Sequence, residues 1–120
     1  MRKILCRGDK DFYAVLGPVF GSRKIQRESG DRFYDDENKI WIVSTDGDGV
    51  FTVVLSMAEG ILKNIYIENS KEAAAILKEI KKDVISGKVP SKYVDTYKSA
   101  GYTVEEYTSK FVKIIGDKHE

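Results

Sequence analysis

Two runs rich in β-branched and aromatic residues, Lys39-Ile40-Trp41-Ile42-Val43-Ser44-Thr45 and Val50-Phe51-Thr52-Val53-Val54-Leu55-Ser56, flank the turn Asp46-Gly47-Asp48-Gly49. A glycine-containing link between two such runs is the signal of a β-hairpin. A further turn at Ala58-Glu59-Gly60 returns the chain into Ile61-Leu62-Lys63-Asn64-Ile65-Tyr66-Ile67-Glu68, so a three-stranded antiparallel meander is expected. At Asn69-Ser70 the apolar period changes from about 2 to about 3.6 residues. Ala73, Leu77, Ile80 and Val84 then share one helical face, which predicts an amphipathic helix from a Ser70 cap to about Ser86.

The flanks are shorter elements. Residues 2–7 predict an edge strand; Asp9 opens a brief helix carrying Phe12, Tyr13, Val15 and Leu16 that Gly17-Pro18 stops, and Ser22 caps a second one ending at Gly30. Beyond the meander and its helix, residues 87–90 read as a break. Ser91 then opens a helix with Tyr93, Val94, Tyr97 and Ala100 on one side, and Gly101 ends it. Residues 102–106 and 111–115 predict a closing hairpin. The helices are too few and too clumped for a doubly wound parallel sheet, so the fold class is α+β. A length of 120 residues allows one domain, here 1–116, followed by a polar tail, 117–120.

Composition excludes several functions. Twenty Lys and Arg against 19 Asp and Glu give a net charge of +1, which supplies no global argument for nucleic acid or a membrane surface. The charge is uneven, with an excess of four basic residues in the first thirty and of five acidic residues in the next thirty. The basic group Arg23, Lys24, Arg27 precedes the acidic Asp31, Asp35, Asp36, Glu37, a partly self-neutralising surface that makes a nucleic-acid partner an unfavourable reading. Cys6 and His119 are single, so no disulfide framework, Cys-rich metal site or Cys/His catalytic pair is expected. Cys6 reads as a small buried apolar residue, and Trp41 as a core anchor on its strand. Residues 1–7 carry too few apolar positions for a signal peptide and no run approaches a membrane span, so a cytoplasmic protein is expected.

Four segments together resemble the GNAT superfamily of N-acyltransferases, in the order of that family. Residues 41–50, preceded by Tyr34-Asp35-Asp36, are similar to its second and third strands, where a Trp-x-Val-Ala strand precedes a glycine turn. Ile65-Tyr66-Ile67 and the helix containing Ile76-Leu77 resemble its fourth strand and central helix, and Tyr97-Lys98-Ser99-Ala100-Gly101-Tyr102 looks like its Leu-Tyr-Glu-Lys-Leu-Gly-Phe signature. The closing hairpin matches its last two strands. The resemblance implies a mixed, mostly antiparallel sheet flanked by helices. It also implies acetyl-CoA as cofactor, no metal, and direct attack of a deprotonated amine, on a small molecule or a protein, on the thioester. Tyr97 is the implied general acid. Ser70, Lys71, Glu72 and Ala73 would hold the pyrophosphate through helix-terminal N–H groups, and Ile65 and Ile67 would pair with the pantetheine amides by β-augmentation.

Two features depart from the family. Its basic-x-Gly-x-Gly loop is replaced by Asn69-Ser70-Lys71-Glu72-Ala73-Ala74, without glycine and with a carboxylate in the first turn. Its fifth strand, which splays from the fourth to admit the cofactor, has only residues 87–90 available, so that region is expected to be shortened or missing. An uncovered fourth strand would invite pairing with a second copy, and a homodimer is expected on that ground. With His119 in the tail, the general base falls to a carboxylate, Glu68 first and Glu59 second. Acceptor specificity falls to Phe12, Tyr13, Phe20, Arg23, Arg27, Tyr34 and Asp35, whose aromatics equally suit a core. The same departures define the alternative, a GNAT-fold binding or regulatory module without catalysis that acts through protein contacts.

Overall fold

The computed structural model describes residues 2–34 and 38–119. Strand β1 (Arg2–Cys6) is followed by α1 (Phe12–Phe20), α2 (Arg23–Ser29), β2 (Ile40–Thr45), β3 (Phe51–Ala58), β4 (Ile61–Ile67) and α3 (Ser70–Ile80). After a 3-10 turn at Lys81–Asp83 come β5 (Ser86–Pro90), a second 3-10 turn (Ser91–Tyr93), α4 (Val94–Ser99), β6 (Thr103–Glu106) and β7 (Phe111–Ile115). The strands form one open sheet in the order β1-β2-β3-β4-β5-β7-β6. Every neighbouring pair is antiparallel except β4 with β5. The chain is therefore an α+β protein with a mostly antiparallel sheet.

Each face of the sheet has its own core. Ile65, Ile67, Ala73, Ile76, Leu77, Tyr93, Tyr97 and Ile114 are buried together on the α3/α4 side. Phe12, Leu16, Val19, Phe33, Trp41, Val54 and Tyr66 are buried on the α1/α2 side, where Trp41 anchors its strand as expected, 5.3 Å from the Phe20 ring. Alternation along β4 sends Ile65 and Ile67 one way and Tyr66 the other, so one strand joins both cores.

Several elements end elsewhere than their local sequence predicts. Helix α1 runs through Pro18 to Phe20, because burying Leu16 and Val19 outweighs the one backbone bond that proline forfeits. Asp9 accepts from the Cys6 N–H at 2.7 Å instead of capping that helix, and Asn69, not Ser70, caps α3. Helix α3 stops at Ile80 although Val84 continues its spacing. Ile85 donates to the Gly60 carbonyl at 2.7 Å and accepts from Gly116 at 3.0 Å, and these sheet-side bonds pull the chain out of the helix. Of the residues withdrawn from the expected helix, Ser86 joins β5, so the fifth strand is neither missing nor confined to residues 87–90; it is a five-residue strand beginning at Ser86. With β5 in place, the outer edges of this sheet are β1 and β6.

Two smaller expectations also change. Cys6 is exposed, because only Leu5 of β1 faces a packed core. The polar tail is docked as far as Lys118, with Asp117 and Lys118 N–H groups on the Lys81 and Val84 carbonyls and an Asp117–Lys81 ion pair at 3.3 Å. Among the described residues, no helix is long and apolar enough to cross a membrane, and no cluster of His, Cys, Asp or Glu is placed to hold a metal ion.

Candidate functional site

The parallel pairing of β4 with β5 lasts only two residue pairs, Ile61 with Ser86 and Leu62 with Gly87. Gly87 permits the contact, since a Cβ there would stand 2.8 Å from Leu62 Cβ. Beyond it β5 stays paired with β7 for its full length while β4 does not follow. Lys63 is the extra residue of a bulge against β3, which pairs Ser56 with Asn64 but Met57 with Leu62. Past the bulge the ladder fixes the direction of each backbone group. Glu68 N–H donates to Thr52 O at 2.8 Å, so Tyr66 and Asn64 also exchange bonds with β3, and the amides of Ile65 and Ile67 point to the opposite edge, into the gap.

Helix α3 begins beside the end of β4. The Asn69 side chain accepts from Glu72 N–H at 3.0 Å and the Asn69 carbonyl from Ala73 N–H at 3.0 Å, which leaves the N–H groups of Ser70 and Lys71 for a ligand or solvent. The first-turn carboxylate does not face outward. Glu72 Oε1 accepts from the Thr52 hydroxyl at 2.7 Å, and hydrogen bonding from Ser44 and Thr52 holds its pKa below the usual carboxylate value. A depressed folded-state pKa contributes stability that is present above the ordinary carboxylate range and is lost as pH falls through the lowered value. The melting temperature of the native chain should therefore exceed that of Glu72→Gln at pH 7, and melts between pH 7 and pH 3 should show the difference shrinking. Ser70, Lys71 and Ala74 face Asp95, Thr96 and Ser99 of α4 across a hollow of about 300 Å³.

Three tyrosines lie around the gap. Tyr97 has no exposed surface, and its hydroxyl donates to the Pro90 carbonyl at 2.8 Å; burial, with Tyr93 nearby, raises its pKa. The proton assigned to the leaving thiolate is thus already engaged in locking α4 to the end of β5. Tyr97→Phe leaves that carbonyl unsatisfied and is expected to cost about 1–3 kcal/mol, read as a lowered midpoint in urea. Tyr66 lies under α2, its hydroxyl 3.4 Å from Glu28 Oε2 and 3.5 Å from Glu68 Oε2. Burial and then these two carboxylates push its pKa up to about 12. Tyr93 stands on the 3-10 turn after β5, and Lys92 beside it donates to the Glu28 carbonyl at 2.8 Å, tying that turn to the end of α2.

The other nominated residues divide. Phe12 is wholly in the core and Phe20 packs on Trp41, so neither lines an open acceptor site. Tyr13, Arg23, Arg27 and Tyr34 are exposed; Asp35 lies outside the described residues. Tyr34 carries Lys39 Nζ 4.1 Å over its ring, and that buried lysine donates to Asn64 Oδ1 at 2.9 Å, so the segment before β2 is pinned to the β4 bulge. Glu59 sits in the β3–β4 turn, at the far end of β4 from Glu68. Sequence reasoning missed Glu28, which nothing in a short helix singles out, and it put Tyr93 in the same stripe as Tyr97 without separating their hydroxyls. No family model matches this chain, and neither a curated protein nor a solved structure matches it.

Proposed function

We propose that this chain is a GNAT-like N-acyltransferase that moves an acetyl group from acetyl-CoA to an amine of a small molecule or protein. The observation that carries the reading is the gap that opens after two residue pairs between parallel β4 and β5, with the start of α3 at the end of β4. The splay of a fourth from a fifth strand is the feature the sequence resemblance requires of a coenzyme site. The residues present fit such a group. Ile65 and Ile67 offer backbone amides along one side of the gap, and Ser70 and Lys71 offer helix-terminal N–H groups with a lysine cation in place of glycine-loop contacts. Glu72, the residue most unfavourable to a phosphate, is turned onto Thr52.

Acetyl-CoA supplies a thioester carbonyl that an unprotonated amine can attack. Glu68, with Glu28 across the Tyr66 hydroxyl, takes the proton from the incoming ammonium and holds it away from the attacking nitrogen. The test is release of free thiol from acetyl-CoA in the presence of a panel of primary amines. Amine-dependent release above a protein-free blank is expected; its absence at millimolar amine and cofactor would overturn the enzyme reading. The alternative is a GNAT-fold binding or regulatory module acting through protein contacts. It is favoured by the closed Tyr97–Pro90 hydrogen bond and by the absence of glycine from residues 69–74.

A further inference from the structure

Two buried side-chain polar atoms among the described residues have no hydrogen-bond partner, Trp41 Nε1 and Tyr93 Oη. Native proteins rarely leave such atoms unpaired, so each calls for a cause. Trp41 lies among Phe20 and Phe33 in the α1/α2 core. Tyr93 is different. The residue is 8% exposed, and its oxygen lies beside the backbone N–H of Ile67 without completing a hydrogen bond. That N–H points away from β3, so the hydroxyl beside it stands at the unpaired edge of β4, inside the gap. The Ile67 amide is itself a donor there and cannot take the phenolic proton. Tyr97, one helical turn later, has spent its own proton on Pro90.

A hydroxyl whose proton is unused, at a strand edge lined by apolar Ile65 and Ile67, matches an extended chain of secondary amides. Such a chain can pair with the strand and still present a carbonyl to the tyrosine. We infer that Tyr93 is a cofactor-binding residue, donating its hydroxyl proton to an amide carbonyl of the pantetheine arm as that arm pairs with β4. The inference rests on the acyltransferase reading and adds to it a residue that the sequence resemblance does not nominate. The Lys92–Glu28 bond fixes the turn that carries Tyr93, so the hydroxyl is positioned before anything binds.

The test compares coenzyme A with adenosine 3′,5′-bisphosphate, which has phosphates and no pantetheine arm, by calorimetry on the native chain, Tyr93→Phe and Tyr97→Phe. Tyr93→Phe should weaken coenzyme A binding about three- to tenfold and leave bisphosphate binding within about twofold. Its melting temperature without ligand should equal or exceed that of the native chain, because the substitution removes an unpaired buried hydroxyl. Tyr97→Phe should lower the melting temperature without changing the ratio of the two affinities. Equal weakening of both ligands by Tyr93→Phe, no weakening of either, or a marked loss of stability without ligand would each overturn the role given to Tyr93 while leaving the acyltransferase reading intact. A native chain that binds no coenzyme A would overturn that reading and the inference with it.

Discussion

On the proposed acyltransferase reading, changing Glu28 and Glu68 together to glutamine is expected to lower acetyl transfer about 10²- to 10⁴-fold, the range a positioned general base supplies. The two carboxylates stand 3.4 and 3.5 Å from one hydroxyl, that of Tyr66, and the latter distance is near the limit of a hydrogen bond. A single phenolic proton serves only one of them at a time, which leaves the other free to accept from an incoming ammonium. Either single variant should therefore lose less than the pair, and the effects should not add. A second readout is independent of turnover. Burial first, and then Glu28 and Glu68, push the Tyr66 pKa up to about 12, so the double variant should ionise this tyrosine at lower pH in an absorbance titration. Transfer within threefold of the native rate would remove both carboxylates from the chemistry. An unmoved Tyr66 titration would contradict the geometry itself.

The largest loss of stability is expected from Gly116→Ala. A Cβ at this position would stand 2.2 Å from the Val84 carbonyl oxygen and 2.9 Å from its carbon, both backbone atoms that no side-chain rotation can move. Relief requires separating the end of β7 from residues 84–85, which breaks the Gly116–Ile85 and Lys118–Val84 hydrogen bonds. Overpacking of this kind and two lost bonds together cost about 3 kcal/mol or more, which for a chain of this size lowers the melting temperature by about 10 °C or more. Gly17→Ala is the control: nothing lies within 4 Å of its Cβ, it sits in α1, and it should stabilise by a few tenths to about 1 kcal/mol. The same segment leads into β5, so on the proposed reading a Gly116→Ala chain that folds should also bind coenzyme A more weakly. A melting temperature within 2 °C of the native one, by scanning calorimetry, would contradict the close packing of β7 on Val84.

What the sequence makes legible follows from where the deciding forces act. The meander is readable because its turns are local: Asp46 Oδ1 accepts from the Asp48 and Val50 N–H groups, and Gly60 takes a φ of 83° that other residues avoid. Helix α2 is readable because Ser22 and Gly30, a side-chain cap and a left-handed stop, are both within its own segment. The end of α3 is not, because residues 81–85 continue an apolar helical period, and only bonds to Gly60 and Gly116, distant in sequence, withdraw them. Strand β5 is hidden for the same reason, since Ser86-Gly87-Lys88-Val89-Pro90 has no alternation and ends in proline, and its identity comes from β7. At the site, the backbone directions of Ile65 and Ile67 follow from any correct β3–β4 register. The division of labour between Tyr93 and Tyr97 does not, because it depends on which hydroxyl meets the Pro90 carbonyl.

The central claim is that the gap between β4 and β5 receives the pantetheine arm of coenzyme A. Titration of acetyl-CoA into the native chain by calorimetry, with a melt at saturating ligand, tests it most directly. Micromolar affinity and a gain of about 2.7 kcal/mol at a hundredfold excess over the dissociation constant are expected. No heat and no shift in melting at millimolar acetyl-CoA would contradict it and would leave the fold as a scaffold for protein contacts.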